Sequence, residues 1–109
     1  MQGEGQATGA VRLVEHWYRH HIVIIVEERR QGAAELTGSM LAVAHELAWR
    51  HAVVAAARES DPADWLSLTV AHEAATYEYL LGWMAVTFDV PEADVRASQT
   101  TTGYRKQPR

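Results

Sequence analysis

The sequence predicts an all-α fold, an up-down bundle of three long helices plus a short C-terminal helix and a flexible tail, on three observations. Apolar residues recur at i, i+3, i+4 and i+7 through most of the chain. The breaks in that pattern carry helix stop and start signals, Gln31-Gly32 and Asp61-Pro62. The β-branched run at residues 21–26, which would suit a buried strand, has no visible partner strand elsewhere and is read as helix.

Residues 1–9 hold three glycines and, after Met1, no large apolar side chain, so burial cannot offset the entropy of ordering them and they are expected to be flexible. The bundle domain is expected over residues 10–98. Its first helix covers 11–30, with Val11, Val14, Tyr18, Ile22 and Ile25 along one face. A second runs from the Gly32 stop to about Glu59, with Leu36, Met40, Ala44, Leu47, Val54 and Ala55 as its stripe; Gly38 leaves its first turns open. The third starts at Asp61-Pro62-Ala63-Asp64. There an Asp cap precedes a proline whose missing N–H is harmless, and the acids face the positive helix end. It carries Leu66, Val70, Tyr77, Leu80, Leu81, Met84 and Phe88 and should end near Asp89. Asp89-Val90-Pro91-Glu92 then sets up a capping box for a short fourth helix over 91–98. Residues 99–109, polar, Thr-rich and basic, are expected to form a flexible tail.

At 109 residues, 48% hydrophobic and 22% charged, the chain suits one globular domain. It has no cysteine, which excludes disulfides, thiolate zinc sites, iron–sulfur ligation and a Cys nucleophile. The N-terminal residues lack a basic patch followed by an apolar run, and no uncharged stretch approaches the roughly 18 residues of a spanning helix. A cytoplasmic protein with no membrane partner is the expectation. An excess of Arg over Lys and abundant Ala suggest a GC-rich bacterial source. All 14 acidic residues precede Arg96, against six basic ones, so the body is about −8 and the remainder, with Arg96, Arg105, Lys106 and Arg109, about +4. An acidic body repels phosphate backbones, so nucleic acid is not expected to bind it.

Two polar residues interrupt apolar stripes. On a 100° wheel His51 falls within the helix 2 stripe and Glu73 at the centre of the helix 3 stripe, and they lie at similar distances from the turn near Asp61. A buried His51–Glu73 pair is therefore expected, pinning helix register. The alternative is a metal or small-ligand site built on His51 and Glu73, with Tyr18 or Tyr77 as neighbours, in which imidazole and carboxylate bind a divalent metal. The paired Glu-x-x-His motif of di-iron bundles is absent, and a metal cofactor is not favoured. His16 and His20, one turn apart, read as a solvated face. His45-Glu46 and His72-Glu73 fail as His-Glu-x-x-His, because Trp49 and Thr76 stand where the second histidine belongs. Phosphate loops, nucleophile elbows and dinucleotide fingerprints are absent too, so an enzyme is not the expectation.

The aromatic residues point to association. Trp17 flanks the helix 1 stripe, Trp49 lies opposite the helix 2 stripe, and Trp65 and Trp83 share a side of helix 3 with Tyr79 and His72. With the small-residue faces Ala71, Ala74, Ala75, Gly82 and Ala85 on helix 3 and Ala48, Ala52, Ala55 and Ala56 on helix 2, they predict contact with a second copy or a protein partner. A small interaction or assembly protein, homo-oligomeric or partner-bound, follows. An acidic regulatory or inhibitor protein acting on a basic partner is a further alternative.

Overall fold

The computed structural model describes residues 2–101, and they form five helices in the order α1 (Gln2–Arg30), α2 (Gly38–Glu59), α3 (Pro62–Leu66), α4 (Val70–Phe88) and α5 (Glu92–Thr101). No strand occurs among the described residues, so the β-branched run at 21–26 is helical, as expected. Most of the tail expected at 99–109 lies outside them.

α1 begins at Gln2, ahead of the start that the apolar pattern predicts, and stops at Arg30 before Gly32, whose φ of 80° needs a residue without Cβ strain. Its buried line is Val14, Tyr18, Ile22 and Val26. α2 is capped by Thr37, whose side chain accepts from the Met40 amide at 3.2 Å. Asp61 caps α3 as the sequence predicts, accepting from the Ala63 N–H at 2.9 Å.

The third helix differs from expectation. It breaks after Leu66, and Thr69 starts a new one through a reciprocal box: the His72 amide donates to Thr69 Oγ1 at 3.1 Å and the Thr69 amide to His72 Nδ1 at 3.3 Å. Thr at the cap satisfies amides that a continuous helix would have bonded internally, so both solutions compete and the break wins. α4 ends at Asp89, which adopts the left-handed conformation (φ 59°, ψ 48°) while the Val90 N–H returns to the Ala85 carbonyl at 3.0 Å.

The most extensive packing is between α1 and α2, with α5 set against α2 and both α3 and α4 against α1; α4 touches α5 and α2 over smaller areas. Alanines explain the first contact. Ala44, Ala48, Ala52 and Ala56, spaced four apart, are all fully buried and let the α1 backbone come close. That ridge, rather than Met40, Leu47 and Val54, is the centre of the buried face of α2, and Val54 is half exposed.

Gly38 fixes the α2–α5 contact: a Cβ there would lie 2.6 Å from the Asp94 carbonyl oxygen and 2.7 Å from its carbon. Both atoms are backbone and cannot swing aside. Gly38→Ala is therefore expected to cost about 1–3 kcal/mol as overpacking, despite the better helix propensity of Ala, read as a lower urea midpoint.

Candidate functional site

Among the described residues one hydrogen-bonded side-chain pair is fully buried. Tyr18 on α1 and His45 on α2 are both fully buried, with Tyr18 Oη 2.7 Å from His45 Nδ1. Burial pushes the Tyr18 phenol well above its ordinary pKa, and the nearby Tyr77 and Glu46 push it the same way. It therefore stays protonated, and its hydroxyl hydrogen-bonds the imidazole with the donor set by the His45 tautomer. The His45 ring meets the Tyr77 ring edge-on at 4.4 Å. Tyr77 donates to Glu46 Oε2 and accepts from Gln99 Nε2 at 2.9 Å, so a polar chain leads from the core to the edge of α4 and α5. Trp49 closes on Tyr77 from the side, centroids 5.4 Å apart at 85°.

His51 and Glu73 do not form the buried pair expected of them, since both are exposed. The ring of His51 stacks on that of His21 at 4.9 Å and 26°, because the alanine ridge turns His51 to the flank of α2. Glu73 points to the core side of α4 by wheel position and lines the small void there beside Val11 and Trp65, yet it stays exposed. Val70, expected in the core, is 83% exposed, as is Leu66 on α3. Among the described residues no group of three or more His, Asp or Glu side chains is placed to hold a metal ion. The void between α1, α2 and the α3–α4 break, lined in part by Val14, Trp49, Trp65 and Thr76, is about 10 Å³, room for a single water.

Histidines gather instead on α1. Trp17 lies between His16 (5.0 Å) and His20 (5.5 Å), and His20 contacts His21 at 5.2 Å. Desolvation, then the neighbouring His51 and His20, hold His21 below the usual histidine pKa. In the unfolded chain His21 binds its proton at higher pH than in the fold, so its contribution to stability is complete above the unfolded value of about 6.5 and is lost as pH falls through the lower folded value. Urea midpoints measured between about pH 7.5 and pH 5 are expected to fall, and to fall less in His21→Asn.

The four tryptophans are partly buried and pack on the core. Trp83 is covered by the Arg19 guanidinium, 5.0 Å from the ring, and Arg19 also reaches Glu15 at 3.7 Å and Tyr79 Oη at 3.4 Å. His72 is occupied in the α4 cap, while Tyr79 is 54% exposed. The large exposed apolar surface lies elsewhere, in Leu66, Val70 and Val86, the last 82% exposed. Around the outer half of α4, Ala71, Ala75, Tyr79 and Val86 are exposed, while Val70 and Ala74 are exposed toward α2. Pattern reading found the small residues of this face but put Leu66 and Val70 in the core, since one stripe of apolar residues does not say which end is covered.

Between α2 and α4 runs an open groove of about 280 Å³, lined by Trp49, Val70, Glu73, Ala74, Tyr77 and Glu78. No helix among the described residues is long and apolar enough to cross a membrane. Comparison of the chain with protein-family models, with curated proteins and with solved structures finds no match.

Proposed function

We propose that the protein is a helical assembly module that self-associates through the outer face of α3 and α4. The observation that carries this reading is the mismatch between the composition of α4 and its surroundings. A helix apolar nearly all round is the pattern of one buried on every side, yet Leu66, Val70 and Val86 are more than four-fifths exposed. Small side chains at Ala71, Ala75 and Gly82 give the face a low profile against which a second helix can lie closely. A twofold pairing of this face with its copy presents the same residues from both sides, so the apolar area of each covers that of the other.

The tryptophans then have a supporting part. Trp65 and Trp83 pack partly buried against the core, and Trp49 lines the groove on the α2 side. Sedimentation velocity over a dilution series tests the reading: a species heavier than the monomer, dissociating on dilution, is expected. Sedimentation as a monomer at every concentration opposes it.

A further inference from the structure

We infer that the groove between α2 and α4 is the docking site of the chain's own C-terminal segment, residues 102–109. One wall of the groove is aromatic, formed by the perpendicular rings of Trp49 and Tyr77, and the α4 side carries the carboxylates of Glu73 and Glu78. Arg96 already pairs with Glu78 at 2.6 Å, whereas Glu73 has no ion-pair partner among the described residues. An indole and a phenol beside a carboxylate suit a guanidinium or ammonium on an apolar stem: the ring faces attract the cation, the rings cover the stem, and the carboxylate supplies the opposite charge.

The segment has that chemistry. Residues 102–109 contain Arg105, Lys106 and Arg109, with Tyr104 beside them, and no acid. It also starts in the right place, since Gln99 in the last turns of α5 donates to Tyr77 Oη at 2.9 Å and Tyr77 lines the groove. Four residues beyond Thr101 span up to roughly 13 Å extended, enough to bring Arg105 from the end of α5 along a groove that begins at a neighbour of Gln99. Tethering makes the encounter intramolecular and raises the effective concentration of the segment. The docking stands for a monomer as well as an assembly, because the groove lies on the α2 side of α4 and leaves Ala71, Ala75, Tyr79 and Val86 uncovered.

The absence of cysteine gives a direct test. In Gln107→Cys a nitroxide is attached to the single thiol, and paramagnetic broadening is measured for the Trp49 indole and the amides of Glu73, Ala74 and Glu78. Strong broadening confined to these signals is expected. Because Glu73 is exposed, Glu73→Gln leaves the fold intact, and docking should weaken by about two- to fivefold, with a further loss in high salt. Broadening spread evenly over the surface overturns the inference. So does broadening seen only in a mixture of spin-labelled, NMR-silent chains with unlabelled isotope-enriched ones, which would place the segment on a second copy.

Discussion

Tyr18→Ala is expected to remove about 3–5 kcal/mol, a large part of the roughly 5–15 kcal/mol that holds a domain of this size. Tyr18 is fully buried at the junction of three helices, with its ring 5.3 Å from that of His45 and 6.4 Å from that of Trp83. Truncation opens a cavity in close-packed surroundings and also removes the hydroxyl partner of His45 Nδ1. Tyr18→Phe separates the two effects, since it keeps the ring and loses the hydroxyl. A cost of about 1–3 kcal/mol is expected for leaving a buried imidazole nitrogen without that bond. Adding His45→Leu to Tyr18→Phe should return part of it, because an apolar pair of similar shape has nothing to desolvate. Urea titrations with an unchanged slope check all three variants. Equal midpoints for wild type and Tyr18→Phe would mean that the hydroxyl contributes nothing.

Ala75→Glu and Val86→Glu should each weaken self-association at least about tenfold, because each removes an apolar contact and forces a carboxylate out of water. Their effect on the folded subunit should stay within about 0.5 kcal/mol, as both positions are exposed in the single chain. Loss of assembly without loss of stability separates a contact surface from a poorly packed core. The check is the dissociation constant from sedimentation beside the thermal midpoint of a dilute sample.

Local signals were the legible part of this fold. The Asp61-Pro62 start, the Gly32 stop and the α1 face centred on Tyr18 and Ile22 can all be read from residues within a turn or two of one another. The α4 start was equally local, in Thr69 followed three residues later by His72, but the apolar run on either side of it reads more naturally as one helix. The site itself depended on which helices come close. Weighing α2 by its bulkiest residues centred the buried face near His51, whereas the alanines at 44, 48, 52 and 56 mark the face where α1 packs, and His45 lies on that face. A hydroxyl in the middle of the α1 stripe already required a partner across the helix pair; His45 is the group that meets it. Exposure of Val70 and Glu73 could not be read from periodicity, which gives direction around a helix but not whether anything stands opposite.

A cysteine crosslink tests the assembly face most directly, because the chain supplies no competing thiol. Ala75 lies on the exposed side of α4, and Glu28 is exposed near the end of a different helix, α1. A disulfide forms readily only when two Cα atoms come within about 7 Å, so mild oxidation of each variant reports whether the same face meets its copy. Ala75→Cys is expected to give a covalent dimer rapidly, and Glu28→Cys to stay monomeric. Equal and slow dimerisation of the two would contradict assembly through α4.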